Sequence, residues 1–315
     1  MLGLVSRLSA SPWLISLEHA QSYMPLLAGL LLGNATMAPA QNLAELRAAA
    51  APQDYSVSVV GNSSFVTYAA RQAAGGSATG GGGTTDGILV RVMGVNGPLL
   101  KADQECGPRG LMSLAGDLQR AAKDTDISAV LLRVDSPGGQ VFGTQSVVDG
   151  IKACQAAGKP VVALCEDGLM CSAAYWIGCS ADTIVATHET CTIGSIGVMA
   201  SWADAQPYFE KMGVKFHTVY AQQSTLKNAD FAAAGQGDYK AVQANLTAIA
   251  GGFLGSVRQN RGSRLDAKKF EKSGASAGKT FFASEAGDIG LIDAMGSFQD
   301  ALGECVRLVQ ARRAS

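Results

Sequence analysis

An α/β fold of alternating strands and helices is what this chain predicts, and three observations predict it. Short apolar runs suited to buried strands recur at residues 88–93, 129–134, 160–164 and 183–186. Stretches with helical apolar spacing fill the intervals, and the connections between the two kinds of segment are short, the pattern of a βαβ sheet. The 315 residues are 47% apolar, enough for a substantial core.

Taken in order, residues 1–71 read as a separate, mostly helical extension. Residues 44–50 have helix-forming composition, while residues 55–60 alternate like a strand. Residues 72–87 follow as a glycine-rich linker, too poor in apolar and charged groups to repay its own ordering. No strand and helix bracket these glycines in the manner of a nucleotide-binding loop. The core spans 88–303 and opens on an alternating strand. A helix over 111–123 puts Leu111, Leu114, Ala115 and Leu118 on one face. Strand 129–134, helix 141–157, strand 160–164, a helix from Ser172 and strand 183–186 come next. Residues 216–220 read as a further strand. Residues 239–261 form a long helix, with Val242, Leu246, Ile249, Phe253, Leu254 and Val257 at helical spacing. Residues 304–315 are a tail.

A net charge of −1, with 16% charged residues, gives no footprint for nucleic acid, and only Arg307, Arg312 and Arg313 are locally basic. The seven cysteines are odd in number and lack C-x-x-C spacing, which argues against a disulfide framework and a metal site and fits a reducing cytoplasm. The apolar stretch 26–32 is far short of the roughly 20 residues that span a bilayer, so no membrane span is expected. Ala38-Pro39-Ala40 has the look of a secretory cleavage site, but Glu18 and His19 precede it with only Arg7 as a basic residue.

The chemistry concentrates in two segments. The strand ending in Asp135-Ser136-Pro137-Gly138-Gly139 leaves backbone N–H groups free where glycine lets them point at a ligand, and such amides bind an oxyanion. Thirty-three residues on, Ser172 enters the small-residue helical segment Ala173-Ala174-Tyr175-Trp176-Ile177, whose N-terminus favours negative charge. Together they suggest a serine protease. The serine needs a base. His188, His217 and Lys227 are the candidates.

These residues resemble peptidase family S49, the signal peptide peptidase A group, through Ser172–Ile177, Ala181–Thr187, Thr190, Gly194-Ser195-Ile196-Gly197-Val198 and the closing Gly290-Leu291-Ile292-Asp293. The likeness covers roughly residues 86–300 and is nearest to phage head-maturation proteases of the lambda C type. Those share the Cys171-Ser172-Ala173 context, the turn ending in Val198-Met199 and an N-terminal segment like residues 14–29. The family usually has glycines where Ala173 and Ala174 stand, and Ile193 looks like a one-residue insertion before Gly194.

The resemblance implies a Clp protease/crotonase-like core of repeated ββα units and no cofactor. It implies Ser172 as nucleophile, Lys227 as base, Gly139 and Ala173 as oxyanion donors, and Ser195 as a hydroxyl bonded to the lysine amine. A lysine in that role must be neutral, which takes desolvation. It further implies an oligomeric ring in the host cytoplasm, within assembling proheads, acting on scaffold protein and its own chain beside portal and capsid proteins. The chain stops at Ser315 soon after the core, so the scaffold is expected as a separate product.

The competing readings are plain. A cellular signal peptide peptidase would begin with a membrane anchor, and a non-enzymatic head component would be expected to lose Ser172 or Lys227. His188 reads as a turn residue, His217 as part of a half-buried strand and Asp135 as a turn cap. Cys171 lacks the histidine partner of a cysteine nucleophile. Gly274–Lys279 imitates a phosphate loop with one residue too few between its glycines.

Overall fold

The computed structural model describes residues 13–15, 54–59, 66–69, 87–104 and 108–314. Strands β4 (Ile88–Asn96), β5 (Ala129–Ser136), β7 (Val161–Cys171) and β8 (Thr183–Ala186) run parallel in that order. The crossovers between them are α1 (Leu111–Lys123), α2 (Thr144–Ala156) and α3 (Ala173–Gly178). This is the α/β architecture that the alternation predicts.

Each central strand is apolar on both faces, as a parallel sheet covered on both sides requires. Val130, Leu132 and Val134 of β5 face the side covered by α1 and α2, where Leu118, Val147 and Ile151 are fully buried. Ala129 and Leu131 face the other side and meet Ala301, Leu302 and Cys305 of the last helix, α9 (Phe298–Ala314). The expected tail at 304–315 is therefore a continuation of a helix that closes one face of the sheet.

The sheet also reaches back across the boundary placed before residue 72. Strand β2 (Tyr55–Val59) pairs antiparallel with β4, and β3 (Val66–Ala69) pairs with β2. Val57 is fully buried in the core. Asp54 beside it accepts a 2.6 Å hydrogen bond from Arg109, so an ion pair fastens this strand to the segment before α1. The strand-like alternation at residues 55–60 thus belongs to the main sheet. The helical segment at 44–50 and the glycine-rich residues 75–86 lie outside the described residues.

Past β8 the chain forms β9 (Thr192–Gly194), α4 (Gln206–Lys211), α5 (Ala229–Gly235) and the long α6 (Lys240–Arg261), then α7 (Ala267–Lys272), β10 (Thr280–Phe282), α8 (Ala283–Ile289) and β11 (Ala294–Met295). The strand read at 216–220 is not formed. Those residues are exposed coil, and among the described residues no strand pairs with them to take up their backbone hydrogen bonds. The long helix forms as read, although only Phe253, Val257 and Arg261 of it are buried.

Arg261 ties the closing segment to the core. Fully buried, its guanidinium donates to both carboxylate oxygens of Asp293 at 2.8 and 2.7 Å and to the Gly290 carbonyl at 2.8 Å. Asp293 also accepts from the Ile184 N–H of β8 at 2.7 Å. Burial works against the Asp293 charge, but the hydrogen bonds and charge of Arg261 outweigh it and hold the carboxyl below the usual range. The pair's stabilisation is therefore complete above the pKa of an unfolded aspartate, about 4, and is lost as pH falls through the lower folded value. Arg261→Leu should cost about 2 kcal/mol, since it removes the two-pronged partner of a half-buried carboxylate and leaves only Arg264 at 3.4 Å as its counter-charge. Urea titration at pH 7 should show that loss, and the variant should have a smaller acid-induced drop than wild type.

Candidate active site

β7 is the strand on which the site is built, and it is not straight. Its first half, Val162–Cys165, lies between β5 and β8. Its second half, Leu169–Cys171, pairs with β9 instead, while the register with β5 shifts between Val134 and Ser136. The bend falls at Asp167, with φ of 49°, and Gly168, where any side chain would collide with the Asp135 carboxylate. That carboxylate accepts from the Leu169 N–H at 3.0 Å. Asp135 therefore fixes the bend in the neighbouring strand, a different duty from the turn cap read in the sequence.

Ser172 follows β7 directly. It stands at φ 55°, ψ −120°, in a region costly for a residue with a side chain, of order 1–3 kcal/mol. Two backbone bonds hold it there. Its N–H donates to the Gly194 carbonyl at 2.8 Å, and its carbonyl accepts from the Trp176 N–H at 2.9 Å. Every residue of α3 behind it is buried. The Tyr175 hydroxyl donates to the Leu291 carbonyl at 2.9 Å, and Trp176 stacks on Phe253 of α6 with ring centroids 4.6 Å apart. The serine is thus held between a paired strand end and a buried helix, 1% exposed, and its hydroxyl makes no hydrogen bond among the described residues.

Beside it runs β6 (Gly138–Gln140), which packs against α3. Gly139 lies so close to Leu99 that a Cβ would run into the Leu99 carbonyl, which explains why glycine is needed there. The Ser136 hydroxyl shapes the preceding turn by accepting from the Gly138 N–H at 3.1 Å and donating to the Gly97 carbonyl at 2.6 Å. Ala173, the first residue of α3, is fully buried, and its N–H belongs to the first turn, which has no acceptor within the helix. The structure brings Ser172, Gly139 and Ala173 into one neighbourhood.

Ser195 joins them through the backbone. It follows Gly194, whose carbonyl holds Ser172, and its own N–H donates to the Lys279 carbonyl at 3.1 Å. Ile193 is an in-register strand residue opposite Met170 on one side and Phe281 on the other, so it produces no bulge before Gly194.

Lys227 is not brought in. It sits in a turn before α5, with its side chain exposed and without a hydrogen bond or ion pair among the described residues. Residues 201–233 around it are exposed almost throughout, including Val219 at 92%, Leu226 at 83% and Met212 at 65%. His217 lies in the same exposed coil and not on the half-buried strand read for it. His188 is exposed in the turn after β8.

Residues 153–312 match peptidase family S49. The chain belongs to this family. Protease 4 of Haemophilus influenzae is 28% identical over 225 residues, which is 71% of this chain and 35% of that protein. Capsid assembly protease C of Escherichia phage lambda is 26% identical over 228 residues, 71% of this chain and 50% of that protein. The chain therefore spans a third to a half of the length of these S49 relatives. Among solved structures, the 1510-N membrane protease specific for a stomatin homolog from Pyrococcus horikoshii aligns with 68% of this chain and 76% of that chain, at 15% identity and a TM-score of 0.38.

The sequence reading missed the parts of the candidate site that are backbone: the Gly194 carbonyl that holds Ser172 and the approach of Leu99 to Gly139. Only the glycines hinted at them. Cys171, next to the serine, is buried, donates to the Thr192 carbonyl at 3.4 Å and has its thiol pushed up to about 12 by burial. Iodoacetamide at pH 8 should leave Cys171 unmodified in the folded protein and alkylate it after unfolding, read by peptide mass spectrometry.

Proposed function

We propose that this chain is a serine endopeptidase in which Ser172 attacks the peptide carbonyl, Lys227 takes its proton, and the amides of Gly139 and Ala173 hold the oxyanion. The observation that carries the reading is the strained, buried Ser172 at the junction of β7 and α3, the helix against which the Gly139 strand packs. Strain of this kind persists only where surrounding structure over-determines it, and here it holds a hydroxyl that makes no hydrogen bond among the described residues. Membership in family S49 supports it independently.

The base completes the site in an assembly. Lys227 rides on a segment whose large apolar side chains are exposed to an extent rarely left uncovered in a monomer. Packing that segment against a second copy buries those side chains and removes water from the lysine, the condition a neutral amine needs. The reading is thus a ring of protomers in which the 201–233 arm of one subunit serves the Ser172 of the next. Ser195 hydrogen-bonds the arriving amine.

For the biological setting we favour phage head maturation, with scaffold protein and the chain itself as substrates within the assembling prohead. The likeness of the Ser172 context, the Gly194–Met199 turn and the N-terminal segment to lambda C-type proteases supports it. The similarity to Protease 4 favours the second reading, a cellular peptidase that degrades released signal peptides. Cleavage of co-expressed scaffold as against signal peptides separates the two.

A fluorophosphonate probe should label Ser172 in wild type and nothing in Ser172→Ala, which should stay folded because the site tolerates loss of one oxygen. Peptide cleavage should fall at least about a thousandfold in Ser172→Ala and in Lys227→Ala, and stay within about twofold in His188→Ala and His217→Ala. Mixing the two inactive variants should restore activity through mixed interfaces. A mixture as inactive as its components, with oligomers confirmed by light scattering, would place the lysine in its own subunit's site.

A further inference from the structure

The strand that carries Gly139 has two edges, and both are engaged. On one, the Leu99 N–H donates to the Gly138 carbonyl at 2.8 Å and the Gln140 N–H donates to the Leu99 carbonyl at 2.7 Å. Because successive residues of a strand present their N–H and C=O groups to opposite edges, those of Gly139 turn to the other side. There β1 (Trp13–Ile15) runs antiparallel, with Trp13 opposite Gln140, Leu14 opposite Gly139 and Ile15 opposite Gly138. Directly opposed residues in such a pair alternate between exchanging both hydrogen bonds and exchanging none. The Leu99 bonds set the phase, so Leu14 and Gly139 are the exchanging pair. The Leu14 carbonyl is placed against the very N–H assigned above to the oxyanion.

We propose that residues Trp13–Ile15 are a strand-shaped occupant of the substrate cleft, which must leave before another peptide can bind. The proposal rests on the reading of Ser172 and Gly139 as protease machinery. It names the ligand class of the β6 edge as an extended peptide, held antiparallel to residues 138–140 by main-chain hydrogen bonds, the mode in which a strand is added to a sheet edge. It also explains how three paired residues suffice. Tethered to its own core, the segment acts at an effective concentration in the millimolar range, so a weak contact competes with free peptide.

The test uses the full chain. Leu14→Pro removes the N–H that faces Gly139 and cannot continue the ladder. In a Ser172→Ala background, a fluorescent peptide of residues 9–20 is titrated by anisotropy against proteins with and without Leu14→Pro. We expect about tenfold tighter binding once the edge is vacated. Equal affinity for the two proteins, or binding to neither, overturns the proposal. Hydrogen exchange supplies a readout free of any enzymology: the Gly139 amide should exchange faster in Leu14→Pro, and unchanged exchange also overturns it. With Ser172 present, KM for an unrelated extended peptide should fall about tenfold in Leu14→Pro at constant kcat. Should the binding and exchange results hold while no variant cleaves any peptide, the occupant stands and the protease reading fails.

Discussion

The site depends on one constraint, the change of partner halfway along β7. If β7 continued straight beside β5 and β8, Ser172 would emerge at the end of an ordinary parallel strand, with no second strand to hold it. The bend at Asp167 and Gly168 takes Leu169–Cys171 out of β8's reach and into register with β9. That delivers the Gly194 carbonyl to the Ser172 N–H. The bend itself is set by a carboxylate of the next strand, since Asp135 fills the space a side chain at residue 168 would need and bonds the Leu169 amide. Asp135 ends the same strand that leads into Gly138 and Gly139. One residue therefore couples the turn that presents the oxyanion amide to the bend that presents the serine.

The two halves of the proposed machinery are built on opposite physical principles. Ser172 and Gly139 are held by buried backbone contacts and full side-chain packing, so their geometry is settled by the folding of the chain itself. Lys227 lies on an arm that buries almost nothing within the protomer. A hydrophobic side chain such as Leu226, left in water, forgoes roughly 1.5–3 kcal/mol that burial would supply. In the assembly proposed above, burying several such residues on one arm is also what would desolvate the amine. On that proposal the nucleophile is in place in the single chain and the base arrives with assembly.

The central sheet was legible because its signals are local. Buried parallel strands read as apolar runs, and α1 shows its face at Leu111, Leu114, Ala115 and Leu118. What was not legible depends on partners. Residues 216–220 alternate as a strand would, but a strand needs a partner and no described strand pairs with them. The three-residue strands β6, β9 and β10 carry no periodicity of their own and form only against partners: β6 against Leu99 and β1, β9 against the bent half of β7, and β10 against β9. In the site, Ser172, Gly139, Ala173 and Ser195 could be picked out by residue type and order, and they come together. Lys227 could be picked out too, but it lies on an exposed arm that the packing of the chain does not bring to Ser172.

An unpaired strand edge is a hazard in most proteins, which cover it or charge it against stray association. A protease that reads extended peptides cannot cover such an edge permanently, because the edge is where its substrate pairs. Gly139 sharpens the conflict: its close approach to Leu99 fixes one edge of β6 and leaves its N–H and C=O on the other. A detachable strand resolves it. β1 satisfies those groups while the chain is alone, and its three paired residues are few enough to be displaced when a longer peptide arrives. The same main-chain recognition that makes the cleft tolerant of substrate sequence thus makes it able to accept the chain's own N-terminal segment.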